Sequence, residues 1–507
     1  MKNILILGLD SAEYLFTLGR LIKSMPDQKI SLLILDKEIN AAGLIPGVDE
    51  IYTIESNKIC GHLKNELFSD ALAINLLSES LAKVEQKTWD KIINFGTTEF
   101  GRYLSSYLCL KHPESSFIGY RYDRAGELIP IDPWHTLSYA LRDYKFYPLN
   151  ELEVSHLSLE TTLQLSSIAK NEEQGDIKVG IQIPRFTDDK NLSFKTLIEF
   201  IDILKTDLNY FPILLFDPAD SNDEYAGKIN RYFDNELEII STNYLNLTKV
   251  LPLLDSLITI KSNLKNLAQQ MGIPVIEIIC GEEQLGVTWA PGERDITVIS
   301  MDRIKGEDLY NVLTQQFELI DPELKIYHSQ QDLIGARPIQ LIGDRILSRD
   351  ISISMSRYLI GKLYLNISES KILDEMILTP VEYLNEWQLQ EKKFLAEVSR
   401  IILNSLRLLK QISESEQKIN EFVESIDELI SLGKSNSLVS IPILLFKYQI
   451  DLIPSKTELE SIEKLIFNLK EGVQIVITVL KDLENAIWNK KKRIIIEKSI
   501  KNKTLTL

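Results

Sequence analysis

A chain of 507 residues is too long for one hydrophobic core, so two or three domains are expected. Its 44% hydrophobic and 25% charged residues describe an ordinary soluble globular protein, and a net charge of −17 argues against a general nucleic-acid binder. Three scattered cysteines (Cys60, Cys109, Cys280) and five histidines, none at metal spacing, give neither a disulfide framework nor a metal-ligand pattern. A reducing compartment and no metal are therefore expected; no cofactor is expected either.

The opening MKNILILGLD has a brief apolar run followed by Asp10 and Glu13, which reads as a first strand and not as a secretion signal. No window offers the roughly 18 uncharged apolar residues of a membrane span; Ile441–Leu452 is too short and carries Lys447 and Asp451. Up to about Tyr120, apolar runs at Ile4–Leu7, Ile30–Leu35, Lys91–Phe95 and Phe117–Ile118 predict strands. Helical spacing predicts helices around Tyr14–Met25, Ala71–Val84 and Phe100–Leu110. This alternation indicates βαβ units and a parallel sheet. The segment from Tyr122 to Asp176, with Pro130, Pro133 and Pro148, is less regular and is read as the passage between domains.

A second α/β series is predicted from Lys178: strands Val179–Ile183, Ile213–Phe216, Leu237–Ile240, Leu257–Ile260, Val275–Ile279 and Ile296–Ile299, with helices such as Phe194–Lys205 and Leu309–Gln316 between them. Within it, Leu264, Leu267, Ala268 and Met271 form one face of a short helix ending at Gly272. Pro274 opens a buried strand, and Gly281 ends it in a turn. In an open α/β sheet ligands bind outside the carboxyl ends of the strands, where this turn lies. After about Leu373 strand signals vanish. Ile462, Leu465, Leu469, Val473, Val476, Val479, Leu483 and Ile487 form a near-heptad stripe, and Phe422, Ile426, Leu429 and Ile430 a shorter one. A helical bundle or hairpin is expected there, closed on itself or forming an interface with a second copy or a partner protein. The basic run Lys490–Arg493 reads as a solvated helix end, or as a segment attracted to an anionic membrane surface. The expected domains are 1–150, 178–345 and 371–507, joined by segments 151–177 and 346–370.

The order of several motifs resembles the family 9 glycosyltransferases, heptosyltransferases of the GT-B fold that take heptose from a nucleotide diphosphate sugar. The opening strand followed by Leu15-Phe16-Thr17-Leu18 and Met25-Pro26 is similar to the family's first strand and turn. Ile45-Pro46-Gly47-Val48-Asp49-Glu50 resembles its N-P-x-V-D-E, and Trp89 to Phe95 its Y-D-x-V-I-D-L strand. Lys190, Phe194 and Leu197 resemble the K-x-W-P…F start of a helix. LAQQMGIPV (Leu267 to Val275) resembles L-A-A-A-L-G-x-P-V, and Trp289-Ala290-Pro291 the Trp-Gly-Pro beyond it. These pieces cover roughly the first 320 residues. Asn94-Phe95 and Trp134 resemble the branch of protein (autotransporter) heptosyltransferases.

The resemblance implies two Rossmann-like domains facing a cleft, an acceptor domain followed by a nucleotide-sugar domain, and inverting transfer to a glycan, lipopolysaccharide or protein. Such transfer needs a base for the acceptor hydroxyl and positive charge or amides for the departing diphosphate. The family's base position falls on Glu13, with Asp10 three residues earlier as the alternative. Both acids also suit the capping of the first helix. Lys190 falls on the family's phosphate-contacting lysine, and Arg185 is close enough in sequence to share the role. A solvated loop is the plainer reading of that polar stretch.

The donor loop departs from the family's Asp-Ser/Thr-Gly-x-x-His. Lys261 stands for the Asp, Asn263 for the Gly and Asn266 for the His, and only Ser262 is kept. Asn263 tolerates a left-handed turn, while Lys261 and Lys265 add attraction for phosphate. Donor binding is thus expected at Lys190, Arg185, Lys261, Ser262, Asn263, Asn266 and Gly281. A catalytically impaired GT-B scaffold acting in assembly is the alternative, and a nucleotide-sugar epimerase or hydrolase a third reading. His135 and His156 are read as structural or exposed, Cys280 as a small buried apolar residue, and Arg121, Tyr122 and Arg124 as surface charge or an acceptor groove. The expected location is cytoplasmic, with peripheral attachment at the inner membrane face as a second possibility.

Overall fold

The computed structural model describes residues 2–504 apart from 11, 64–68, 97, 125, 143, 145–147, 162–175, 184–192, 208, 217–222, 242–243, 261–263, 281–293, 301–303, 333, 343–346, 366, 368–379, 412–414, 436 and 453–458. The chain forms two compact units. One comprises Met1–Thr136, Asn150–Gln331 and Gly335–Asp344, and the other Leu137–Leu149, Asp332–Ile334 and Arg345–Leu507.

The first part of the chain runs β1 (Asn3–Gly8), α1 (Ala12–Lys23), β2 (Lys29–Leu35), α2 (Ile39–Ala42), β3 (Glu50–Ile54), α3 (Ser56–Leu63), α4 (Ser69–Gln86), β4 (Lys91–Asn94), α5 (Glu99–Lys111), β5 (Ser116–Tyr122), β6 (Leu128–Pro130), α6 (Pro133–Ala140) and α7 (Glu151–Ser158). Its strands form one six-stranded sheet in the order β3-β2-β1-β4-β5-β6, parallel except for β6. The next part runs β7 (Ile177–Gln182), α8 (Phe194–Thr206), β8 (Tyr210–Phe216), α9 (Asp223–Tyr232), β9 (Glu238–Ser241), α10 (Tyr244–Val250), β10 (Ser256–Ile260), α11 (Leu264–Gln270), β11 (Val275–Cys280), β12 (Ile296–Ser300), α12 (Gly306–Leu313), β13 (Lys325–Gln331) and β14 (Ala336–Ile342). These strands form an eight-stranded sheet, β14-β13-β12-β11-β10-β7-β8-β9, in which only β13 and β14 run against their neighbours.

Both sheets therefore share the doubly wound Rossmann order, which reverses between β1 and β4 and again between β7 and β10. The central strands are apolar on both faces, as β1 (NILILG) and β2 (KISLLIL) illustrate, because helices cover both sides. Helix α1 is buried almost all round: Leu15, Phe16, Leu18, Leu21 and Ile22 are each at most 2% exposed. One apolar cluster joins these residues to Ile4 and Ile34 of the first sheet, to Leu257 and Val275 of the second, and to Leu267 and Ala268 of α11.

The second unit contains α13 (Leu347–Tyr364), α14 (Val381–Lys410), α15 (Glu416–Leu432), α16 (Ser440–Asp451) and α17 (Leu459–Thr504). Helices α14 to α17 bury Val398, Ile402, Phe422, Leu429, Phe446, Ile466 and Leu469 against one another. The stripe predicted on α17 is the buried one, with Val473, Val476, Val479, Leu483 and Ile487 at most 4% exposed. No helix among the described residues is long and apolar enough to cross a membrane. The fold class predicted from sequence, two Rossmann-like α/β sheets followed by an all-α region, is the observed one.

Arg357 of α13 is wholly buried and holds the second unit's three chain segments together. Its guanidinium donates to Asp332 through Nε (2.7 Å) and Nη2 (2.8 Å), and to the Pro148 carbonyl through Nη1 (2.7 Å). A buried, bidentate pair is costly to break from one side because the remaining charge is stranded. Asp332→Ala is expected to cost about 3–5 kcal/mol in urea unfolding followed by circular dichroism. Adding Arg357→Met should recover most of that loss; a double variant as unstable as the single one would reject the stranded-charge account.

Candidate active site

The two positions where strand order reverses are the natural ligand sites. At the first, the chain leaves β1 at Gly8 and reaches Asp10, whose Oδ1 accepts the Thr98 amide of the segment entering α5 at 2.9 Å. Thr98 in turn caps α5, its Oγ1 accepting from the Gly101 amide. Asp10 thus ties the carboxyl end of β1 to the turn beyond β4. Gly96 lies close beside it: a Cβ there would sit 3.0 Å from Asp10 Oδ2 and from Asn94 Oδ1, a tight contact that both side chains would have to relieve. Glu13 is the second residue of α1; its side chain lies outside the described residues.

The neighbouring strand end holds an Asp–His–Ser group, in which His135, expected to be structural or exposed, is buried. Asp132 accepts from the Gly119 amide (2.9 Å), from His135 Nδ1 (2.7 Å) and from Ser158 Oγ (2.8 Å). Burial pushes its carboxyl up, but the His135 and Ser158 bonds outweigh that and hold it below the usual range. His135 stacks on Phe95 with ring centroids 4.8 Å apart. This is not a nucleophile relay. Ser158 Oγ meets the same Nδ1 edge of His135 that meets the aspartate, and it also bonds Asp132 directly. Gly119 has φ +105°, and a Cβ there would fall 1.8 Å from the Asn94 carbonyl oxygen, so only glycine fits. Asn94 and Trp134, which carry the sub-branch resemblance, are both buried. The Asn94 amide donates to the carbonyls of Gly101 and Tyr120. Arg121 donates to Cys109 Sγ at 2.8 Å.

Between the sheets, α1 and α11 lie side by side and run parallel. Asn266 Nδ2 donates to Thr17 Oγ1 at 2.9 Å, and one turn later Arg20 Nη1 donates to Gln269 Oε1 at 2.6 Å. The tip of the Gln270 side chain lies over Gly19, 2.7 Å from where a Cβ would stand. The two bonds fix a single register, so the amino-terminal ends of both helices lie at the same end of the pair. Asn266 is therefore spent on α1 in this structure, whereas Asp10 is spent on the turn before α5.

Below this pair is a sealed polar cluster. Asp295, just before β12, accepts from the Val275 amide at 2.9 Å and from Gln269 Nε2. Burial pushes its carboxyl up to about 6, against the opposing pull of the Val275 amide, Arg20, Gln269 and Lys265. Burial also brings Arg20 down to about 10, with Asp295 opposing. His156 of α7 falls to about 4, through burial first and the Arg20 charge second. Its Nδ1 faces Thr161 Oγ1 at 2.9 Å, and its Nε2 meets no hydrogen-bond partner among the described residues. None of Arg20, Gln269 and Asp295 was singled out from sequence. The available signal was a charged or amide side chain inside an apolar helical run (Leu18 to Ile22; Leu267 to Met271). Lys265 reaches back to Glu277 of β11 at 2.6 Å, so its charge is engaged there.

The other predicted donor residues, Arg185, Lys190, Lys261, Ser262, Asn263 and Gly281, lie outside the described residues. All six belong by sequence to segments that follow β7, β10 and β11, three adjacent strands of the second sheet. Among the described residues no group of three or more His, Cys, Asp or Glu could hold a metal ion.

Fold and strand order define a tandem Rossmann-type α/β protein with an appended helical unit. No family model matches the chain, and no curated protein matches it. Among solved structures, it is similar to E. coli heptosyltransferase WaaC with ADP (TM-score 0.44, 14% identity, 62% of this chain and 99% of that one). E. coli ADP-heptose lps heptosyltransferase II gives 0.44, 13%, 62% and 99%. The glycosyl transferase family 9 structure from Veillonella parvula gives 0.41, 13%, 64% and 90%. Likeness at this level assigns no activity.

The cluster gives opposed pH dependences. Asp295, raised in the fold, contributes stability below about pH 4 that is lost as pH rises through about 6. His156, depressed in the fold, contributes stability above about pH 6.5 that is lost as pH falls through about 4. Each shift corresponds to about 3 kcal/mol, so the two slopes largely cancel between pH 4 and 6. In urea unfolding across that range, and relative to the wild-type profile, Asp295→Asn should shift stability toward rising with pH and His156→Gln toward falling with pH. Parallel profiles for wild type and both variants would refute the assignment.

Proposed function

We propose that this chain is an inverting glycosyltransferase that moves a sugar, heptose or a related one, from a nucleoside diphosphate to a hydroxyl of a glycan, lipid-linked glycan or protein. The observation that carries the reading is the parallel register of α1 and α11. Glu13 stands four residues before Thr17, and Ser262 four residues before Asn266. The register sets the amino-terminal ends of α1 and α11 at one end of the pair, and the reading assigns the base and donor roles, by sequence, to the segments that enter these two helices, where α/β sheets bind ligands.

The chemistry is a single displacement. The Glu13 carboxylate takes the acceptor proton as its oxygen bonds to the anomeric carbon from the face opposite the diphosphate. The carbon–oxygen bond to the diphosphate breaks, and its electron pair leaves on the phosphate. Lys190, Arg185 and Lys261 balance the developing charge. Asp10 holds the turn beside Glu13 and is the second candidate base. Inversion follows from one displacement on one face. The acceptor belongs to the first sheet and the nucleotide to the second. The protein-acceptor branch is the preferred lineage on Asn94-Phe95 and Trp134, and the cytoplasm, where nucleotide sugars are made, is the preferred compartment.

Thermal-shift measurements with ADP-, GDP- and UDP-sugars test the reading. One of them should raise the melting temperature, and Lys190→Ala should shrink that shift. Glu13→Gln should keep the shift while transfer falls by about 10²–10⁴-fold. If no nucleotide sugar stabilises the protein, the enzyme reading falls and an assembly scaffold takes its place.

A further inference from the structure

The basic end of α17 plays no part in the reaction above. Residues 488–507 carry six lysines and one arginine against the single acid Glu497, a net of +6 in a chain of net −17, so the remainder carries −23. The helix is continuous to Thr504. Its buried stripe runs through Val476, Leu480, Leu483 and Ile487. Continued at helical spacing in the sequence, the same positions are Lys490 or Lys491, Ile494, Lys498 and Lys501, so lysines replace most of the apolar residues. At that transition Trp488 is 59% exposed, with Lys492 Nζ 5.2 Å above its ring, and Lys491 and Lys492 are both exposed.

The composition distinguishes between polyanions. A nucleic acid would use the cations but leave Trp488 and the sequence Ile494-Ile495-Ile496 in water. A bilayer surface uses both, because lysines meet lipid phosphates while an indole and aliphatic groups enter the headgroup region. The acidic remainder is screened beyond about 8 Å at physiological ionic strength, so the touching segment decides the contact.

We infer that the end of α17, centred on Trp488, Lys491 and Lys492, docks the protein on an anionic lipid bilayer. The inference is independent of the transferase reading. The full chain should co-sediment with phosphatidylcholine vesicles containing phosphatidylglycerol, should not with phosphatidylcholine alone, and should be released by raised salt. Lys491→Glu with Lys492→Glu should lower the partition coefficient at least about tenfold, and Trp488→Ala by about fivefold. The charge-matched pair Lys410→Glu and Lys434→Glu, on exposed positions elsewhere in the helical unit, should leave it unchanged. No binding to anionic vesicles, equal binding to neutral ones, or an equal loss in the control pair would overturn the proposal. Tighter binding to duplex DNA or RNA than to the anionic vesicles would replace the bilayer with nucleic acid. Unchanged partition of Trp488→Ala would reject insertion.

Discussion

The α/β unit depends on one constraint: a buried arginine must be neutralised where two sheets meet. Arg20 lies in a helix with apolar residues on nearly every side, and its guanidinium cannot be left uncompensated there without a penalty of several kcal/mol. Gln269 answers it from α11, and Asp295 closes the chain of bonds from the start of β12. Because a glutamine relays between them, the positions of α1, α11 and β12 are fixed together. The apolar cluster that surrounds the relay is common to both sheets, so neither sheet completes its core without the other. That coupling sets the register of α1 on α11, and the register sets which loops share an end.

The polar relay and the apolar cluster do different work. Burial of leucines and isoleucines supplies most of the favourable free energy but little direction, because apolar contact tolerates sliding. The Thr17–Asn266 and Arg20–Gln269 bonds select one alignment of the two helices. A one-turn slip would separate Arg20 from Gln269 and break both bonds. The helical unit uses the same division. Arg357 with Asp332, and Glu391 with Ser437 and the Leu438 amide, direct the packing of otherwise interchangeable aliphatic surfaces. Burial pushes Glu391 up to about 7, with those two bonds opposing.

Legibility from sequence followed locality. The central strands were visible as uninterrupted apolar runs, and the α17 stripe as a period near three and a half, because each pattern lies within one element. The hairpin of β13 and β14 escaped, since KIYHSQQ and ARPIQLI mix polar residues and a proline as strands near a sheet edge do. Strand β3, at the opposite kind of edge in the first sheet, was marked only as a link, its side chains being mostly half-exposed. Asp10, which suits a cap for the helix that follows it, also accepts from Thr98, 88 positions away. Arg20 and Gln269 are 249 positions apart. No periodicity within a helix can report such partners, although a charge among leucines already signals that one must exist.

The helical unit is discontinuous in the chain, and this bears on how the protein is made. Leu137, Leu141, Tyr144 and Leu149 are nearly inaccessible in the finished unit, yet the helices that enclose them begin only at Leu347. About 200 residues separate these side chains from Arg357, which at roughly 5–20 residues per second is about 10–40 s of synthesis. Throughout that interval four large apolar groups wait on the ribosome without their native cover. The unit can therefore close only once the chain beyond Arg345 has been made.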